Sequence, residues 1–485
     1  MKKVILMSLL ALSASIAAFA QQAQTQEGGA ATEVNQYGQK VNAYPAAATV
    51  QDGILVFQNK EQNYKMWFDV RVQADAAVFF GAPDFCAPQL DGKDNTSHIG
   101  SGMNIRRARF AVKAQLDKTW YGELDTDWTS GTPEIKDAYV AFTGVKGLEV
   151  KVGNFKENFS IQRNTTSRYL MFMERAMVTY LAPSRHLGLN AKYSYKWLWA
   201  SAGVFGPELE GTEAHTAFED GNKDFGYNEG LSYTGKLVFR PLYKMKEASL
   251  HIGGAFSYRE PKLSSTDGYF VGRYSSRNST SINRKKYLDT DAVKGLDHEL
   301  AWTVELAGHW KQLRWETAYI ARGMVLDPLK NTNAYATQTQ WAEGWYAQAS
   351  WLLFGGTQNY DSDGAKYTRT TSERKWGNLE VAFRYEYADF NTGKLFSRSI
   401  ADTGVFGGSG EAYTVGLNYY PTKNVKIVLN WQYNNNDRYA NAKGKSYVGY
   451  DLEGKPTKDP HKVVAENGQA GVDYQMLALR FQVAF

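Results

Sequence analysis

The sequence predicts an all-β fold, a transmembrane antiparallel β-barrel of about 16 strands with an inward-folded constriction loop. Three observations predict it. First, residues 1–20 place Lys2 and Lys3 before the apolar run 4–12 and close on Ala18-Phe19-Ala20, the pattern of a secretory signal peptide cleaved near Ala20. Second, residues 472–485 alternate: Leu477, Leu479, Phe481, Val483 and the terminal Phe485 fall on one side, and Met476, Arg480 and Gln482 on the other. Third, beyond the signal no stretch approaches the roughly 18 unbroken apolar residues of a spanning helix, yet aromatic residues make up 14% of the chain, a density that suits membrane-interface girdles.

The elements follow in order. Residues 21–52 are rich in Gln, Ala and Gly and poor in large apolar side chains, so a flexible leader is expected there. Residues 53–485 are expected to form the barrel, with strands near 64–80, 103–115, 119–128, 134–143, 147–154, 185–195, 197–205, 231–240, 247–259, 297–310, 312–324, 340–354, 376–390, 411–421, 424–436 and 472–485. Tight links at 117–118, 144–147, 195–196, 242–246, 311 and 421–424 alternate with long polar loops at 81–102, 155–184, 206–230, 260–296, 325–339, 391–410 and 437–471. With both termini in the periplasm, tight turns face inward and long loops face outside. Segment 355–375 departs from this, being a long connection on the short-turn side.

Side-chain facing follows from the period of two, because a one-residue slip would exchange the lipid and lumen sets. Phe110, Val112, Ala114 and Leu116 face lipid and send Arg107, Arg109 and Lys113 inward. Leu148, Val150 and Val152 face out, with Glu149 and Lys151 inward. Val425, Ile427, Leu429, Trp431 and Tyr433 face out, with Lys426, Asn430 and Gln432 inward. A Lys or Arg at the bilayer midplane on the lipid face would cost about 2–4 kcal/mol, so this segregation is demanded by stability before function. Glu123, Asp125, Asp127, Glu149, Glu299, Glu305, Glu380 and Glu386 also point inward, which makes the expected lumen mixed in charge.

Composition excludes several classes. Net charge is +5, and loss of Lys2 and Lys3 with the signal leaves 5 − 2 = +3, too little to imply nucleic acid. The lone Cys86 forms no internal disulfide. Seven histidines lack metal-ligand spacing, Asp361-Ser362-Asp363-Gly364 lacks the later Glu of a calcium loop, and Gly444-Lys445-Ser446 lacks the first Gly of a P-loop. No enzyme activity, metal or cofactor is expected.

Loop 155–184 is the most informative internal segment. It carries Lys156, Arg163, Arg168 and Arg175, with Arg185 just after it, around the apolar run Tyr169-Leu170-Met171-Phe172-Met173. That run would be buried by folding into the barrel, and the basic residues would then line a narrowed, anion-favouring passage.

The ordered stretches Asn104-Ile105-Arg106-Arg107-Ala108-Arg109-Phe110, Asp137-Ala138-Tyr139-Val140, Val152-Gly153-Asn154-Phe155-Lys156, Phe172-Met173-Glu174-Arg175-Ala176 and His186-Leu187-Gly188 resemble the phosphate-selective porin O and P family. The resemblance implies a sixteen-stranded outer-membrane channel, usually a homotrimer, whose third loop constricts the pore and whose lumen cations conduct small anions, including phosphate. The family also has a Thr-Gly-Glu-x-Arg-x-Tyr stretch in an inward periplasmic connection. Here the corresponding stretch places Gly356 and Gln358 at the Glu and Arg positions, with Lys366 and Arg369 following. The expected anion-contacting set is Arg107, Arg109, Lys113, Lys156, Arg163, Arg168, Arg175, Arg185, Lys366 and Arg369. A general, weakly selective porin and a closed surface-binding or adhesion barrel are the alternatives.

Overall fold

The computed structural model describes residues 31–80 apart from 36, 44, 45 and 52, then 100–206, 230–260, 270–327 apart from 278 and 283–285, 339–391, 405–438, 449–459 and 472–485, with 208, 209, 447 and 462–464. The expected signal peptide and Cys86 lie outside the described residues.

Sixteen antiparallel strands close into one barrel. They are β1 (Lys65–Phe80), β2 (Gly102–Leu116), β3 (Trp120–Asp127), β4 (Glu134–Phe142), β5 (Leu148–Lys156), β6 (Arg185–Tyr195), β7 (Leu198–Phe205) and β8 (Ser232–Phe239), then β9 (Ala248–Arg259), β10 (Val293–Trp310), β11 (Leu313–Leu326), β12 (Gln340–Leu352), β13 (Asn378–Asn391), β14 (Phe406–Tyr420), β15 (Val425–Arg438) and β16 (Val472–Ala484). Each pairs with its neighbour in sequence, and β16 pairs with β1 from Gln475↔Phe80 to Ala484↔Arg71, so the barrel presents no free edge to lipid. The terminal Phe485 completes this seam by exchanging backbone hydrogen bonds with Val70.

The tight turns have local causes. Asp117 and Lys118 both take left-handed backbone (φ 49° and 56°), the geometry whose twist matches a two-residue hairpin. Gly147 (φ 83°) does the same for its turn, where an added Cβ would stand 2.5 Å from the Ser194 carbonyl oxygen. Outside these turns an aromatic belt marks the membrane interface: Trp120 meets Phe142 with ring centroids 5.2 Å apart, Trp197 meets Phe239 at 5.6 Å, and Phe354 meets Trp376 at 4.9 Å.

The facing read from alternation holds in each strand for which it was stated. Val152, Leu429, Leu479 and Phe481 are exposed on the outer surface, and Arg107, Lys426, Gln432 and Arg480 are buried inside. The wall is uneven. Strands β3 to β8 have 8, 9, 9, 11, 8 and 8 residues, whereas β9 to β16 have 12 to 18.

Three departures from the sequence-based reading are structural. Within 21–52, expected as a leader, 31–34 pairs with 40–43 and 46–51 pairs with 54–59. Strand 54–59 then adds to Lys65–Trp67 of β1, just beyond the point where β16 ends, so the chain covers that stretch of β1. The loop 260–296 was expected to point outward, yet its described part turns into the barrel mouth. Ser276 donates to the Met177 carbonyl (3.1 Å), Ser281 donates to Asp75 (2.7 Å), and Asn104 donates to the Ser281 carbonyl (3.0 Å). Finally, β10 and β14 begin earlier than expected, at Val293 and Phe406.

Candidate functional site, an off-axis pore

Loop 155–184 folds into the lumen and packs against one side of it. Leu170, Met171, Phe172 and Met173 are each at most 3% exposed. The run is a series of bends outside any helix or strand, so it leaves its carbonyls without regular backbone partners, and a buried carbonyl without a donor costs about 1–3 kcal/mol. The wall supplies the donors. Arg314 reaches the Tyr169 carbonyl (3.0 Å), Lys426 the Leu170 carbonyl (2.7 Å), Asn418 the Met171 carbonyl (2.8 Å) and Arg384 the Glu174 carbonyl (2.9 Å), and Arg480 donates to the Met173 carbonyl. These lumen side chains, four of them cationic, hold the loop.

The loop's turns are capped in the same way. A short helix, α1 (Ile161–Asn164), has Ser160 as its N-cap, accepting from the Arg163 N–H, while Glu305 of β10 accepts from the Ile161 N–H at 2.7 Å. Glu386 accepts from the Met177 N–H (2.5 Å) at the start of the 3₁₀ turn Met177–Leu181. At the loop's tip Glu174 gathers Arg106 (2.8 Å), Arg107 (3.4 Å) and Arg480 (2.9 Å), and Arg480 also grips Asp75 with two bonds of 2.7 and 2.8 Å. Burial alone would raise the Glu174 pKa, but the three guanidiniums hold it well below the usual carboxylate range.

Segment 355–375 fills the lumen from the opposite, turn-bearing end. Tyr360 hydrogen-bonds His251 (2.6 Å), Trp199 donates to the Asp363 carbonyl (2.9 Å), Arg240 donates to the Ser362 carbonyl, and Tyr367 lies under the Arg314 guanidinium at 3.7 Å. His251 contacts Glu305 (2.8 Å), the carboxylate that caps α1, so both inward segments meet at Glu305. Gly355 and Gly356 both have φ 78°, and a Cβ at Gly356 would stand 2.2 Å from the Thr371 carbonyl oxygen. Gln358 is 1% exposed and donates to Glu380 (2.7 Å). Neither departure from the family stretch faces water in this chain.

What remains open runs along β1 to β6. On the loop side lies a cavity of about 370 Å³, and on the turn side one of about 510 Å³. Four residues line both: Arg107, Arg109, Arg175 and Arg185. No carboxylate is shared, so the neck between the cavities is formed by guanidiniums.

Of the residues expected from sequence, Lys113, Lys156, Arg168 and Lys366 join the four neck arginines on the larger cavity, and Arg163 lines the smaller. Arg369 instead lines a third, small cavity beside the pore. Their pairing differs. Arg109 pairs with Asp127 (3.0 Å) and Asp125 (3.6 Å), Arg185 with Asp137 (2.7 Å), Lys113 with Asp69 (2.8 Å), and Arg168 with Asp69. Arg175 donates to the Gln162 and Thr165 carbonyls (2.7 and 2.8 Å), and Arg163 to those of Thr179 and Ala182 (2.7 and 3.0 Å). Burial, with Arg163 nearby, pushes the Arg175 guanidinium down to about 9, which leaves it charged at neutral pH. Lys156 makes no ion pair among the described residues. Arg71, Lys151 and Lys192 also line the larger cavity. Alternation along β1, β5 and β6 places them inward, and Arg71 and Lys192 are the ones strand reading had left unstated.

The carboxylates of Glu123, Asp125 and Asp137 lie within 4.8 Å of one another, a spacing that suits a divalent cation. Lys113, Arg109 and Arg185 already stand against them at 3.5, 3.6 and 2.7 Å. They serve as counter-charges to the wall cations.

A family model described as phosphate-selective porin O and P matches residues 84–451. The chain belongs to the phosphate-selective porin O and P family. It is an outer-membrane porin, a channel of the Gram-negative outer membrane. The porin is 23% identical over 414 residues to Porin O of Pseudomonas aeruginosa, covering 80% of this chain and 86% of that one. It is 25% identical over 346 residues to an uncharacterized protein of Caulobacter vibrioides, covering 69% of this chain and spanning 63% of that protein's length. Among solved structures, the anion-selective porin of Comamonas acidovorans aligns over 87% of this chain and 100% of its own at 11% identity, with a TM-score of 0.47.

Proposed function

We propose that this porin passes small hydrophilic anions by diffusion, with phosphate-sized oxyanions as the preferred class. The observation that carries this reading is the neck, where Arg107, Arg109, Arg175 and Arg185 line both cavities and no carboxylate does. At an effective dielectric of about 20, an anion about 4 Å from one guanidinium gains roughly 4 kcal/mol before its desolvation is charged against it. A cation meets the same field with the opposite sign.

Acidic residues temper the attraction. Asp125, Asp137 and Asp127 pair with the neck arginines, which moderates the field and eases release of a bound anion. Lys156, which makes no ion pair among the described residues, also lines the larger cavity. Below the neck Lys113, Lys151, Lys192 and Lys366 alternate with Glu123, Glu149, Asp361 and Asp363, a mixed wall that suits polar solutes generally.

The low wall supports a homotrimer. At about 3.3 Å per residue and a tilt of roughly 45°, the 8- and 9-residue strands β3, β4, β5, β7 and β8 span about 19–21 Å, less than the ~25 Å apolar band of an outer-membrane barrel, whereas β6 with 11 residues about matches it. Contact of β3–β8 with partner subunits would remove that mismatch.

Reversal potential in a potassium chloride gradient tests the selectivity. The reading expects the sign of an anion-selective channel and a fall in chloride current on adding inorganic phosphate. A zero or cation-selective potential would favour the general porin, and the absence of steady conductance would favour the closed barrel.

A further inference from the structure

We infer that the turn-bearing rim of the barrel is a basic ring that binds the headgroups of anionic phospholipids in the periplasmic leaflet. Short turns face the periplasm in barrels of this kind. Each of the seven strand connections at that end carries an exposed lysine, from Lys118 between β2 and β3 to Lys423 between β14 and β15. Residues 60–63, 117–118, 144–147, 196–197, 243–247, 311–312, 372–376 and 421–424 together hold ten basic and four acidic side chains, every one exposed, for a net charge of 10 − 4 = +6. The chain without Lys2 and Lys3 is only +3, so everything apart from this rim sums to 3 − 6 = −3. Positive charge is gathered at one end of the molecule, outside the lumen.

The backbone is strained where some of this charge sits. Lys118, Lys196 and Lys311 take left-handed backbone, with φ of 56°, 49° and 52°, at turn positions that favour Gly or Asn. Turn geometry alone would not select lysine there. A use for the ammonium group accounts for it.

Depth and direction set the partner. Lys118, Lys196 and Lys375 each stand within two residues of a belt tryptophan, Trp120, Trp197 or Trp376, all exposed on the outer surface. The Lys196 ammonium lies 4.8 Å from the ring centroid of Tyr195, which is exposed on the lipid-facing side of β6 with Leu187 and Leu189. Lys244 stands over Tyr243 in the same way, at 5.7 Å. A flexible four-carbon stem beside an interfacial ring puts its ammonium at the depth of lipid phosphates, and a cluster of such groups attracts anionic lipid within a Debye length. Lysines turned back onto the belt meet lipid before they meet a soluble partner. The inference stands apart from the reading of the pore, since none of these residues belongs to the arginine neck.

Electron spin resonance of the intact porin in phosphatidylcholine vesicles, with a trace of spin-labelled phosphatidylglycerol or spin-labelled phosphatidylcholine, tests the ring. Phosphatidylglycerol should associate roughly fivefold more strongly at low salt, the effect of about one lysine beside an anionic headgroup, and the preference should fall toward one in about 1 M salt. K118N/K196N/K244Q/K246Q/K311N takes the rim from +6 to +1 with Asn at the left-handed positions, so it should fold as the wild type does and lose most of the preference. R109Q/K156Q should keep it. Equal association of the two lipids with the wild type would overturn the ring and leave an acidic periplasmic protein as the partner that such a rim fits. A preference that survives high salt, or that persists in the folded five-site variant, would also overturn it.

Discussion

The two walls of this lumen carry the same kinds of side chain and use them differently. Along β9 to β16, Arg314, Arg384, Lys426 and Arg480 are at most 4% exposed and turn their donors onto loop carbonyls. Along β1 to β6, Arg109, Lys113 and Lys151 stand at an open cavity paired with Asp127, Asp69 and Glu149, and Lys156 stands there without an ion pair among the described residues. A cation becomes structural or conductive according to what faces it. The apolar run 170–173 falls on the first wall, so the pore is displaced to the second.

The largest effect expected from breaking this division is at Arg480. R480M leaves Asp75 and Glu174 buried beside each other without their shared cation, a loss of about 3–5 kcal/mol. The folded form should unfold at lower temperature in gel-shift assays, and surviving channels should show noisier current. Unchanged melting and quiet current would mean that the loop is held by its apolar run alone.

Next in size is Gly356→Ala. Its φ of 78° and the 2.2 Å approach of a Cβ to the Thr371 carbonyl predict a cost of about 1–3 kcal/mol, confined to segment 355–375. Protease cleavage within that segment should accelerate while the barrel stays intact. A wild-type cleavage rate would show that the segment relaxes freely.

Acid provides a third, gentler contrast. Because the Glu174 pKa is lowered in the folded protein, its contribution is fully present above the unfolded carboxylate value of about 4.3 and is lost only as pH falls through the depressed folded value. Channel noise should therefore stay at its neutral-pH level at pH 4 and rise only in stronger acid. Loop release already at pH 5 would contradict the three-arginine grip on Glu174.

The smallest stability effect is expected at the pore wall. R109Q/K156Q acts on a pair whose arginine is 12% exposed rather than 2% as in Arg480, so it should cost less than R480M, measured by the same thermal gel shift. A loss comparable to that of R480M would erase the distinction between the walls.

Much of the frame was legible in sequence. Lipid-facing sets such as Phe110, Val112 and Leu116 could be read because alternation has only two registers, and a charged residue on the lipid face rules one of them out. Loop 155–184 was legible as an inward fold because its apolar run has no other place to be buried. The division of labour among cations was not. Arg384 and Arg109 are both luminal arginines on strands, and only the path of 169–174 across the lumen separates them. The inward turn of 270–290 was also hidden, since its polar side chains bind Asp75 and Asn104 across the barrel mouth rather than packing as a pattern along the chain. Arg369 follows the family stretch closely enough to suggest the pore, yet the paired left-handed glycines at 355 and 356 turn that segment so that Arg369 lines the side cavity.

The most direct test neutralises equal charge on the two walls and compares reversal potentials of folded channels in the same chloride gradient. R109Q/K156Q on the pore wall should lower the anion-to-cation permeability ratio several-fold, and R384Q/K426Q on the filled wall should leave it unchanged. Equal shifts from the two pairs, or a larger shift from R384Q/K426Q, would contradict a pore whose selectivity resides in β1 to β6 alone.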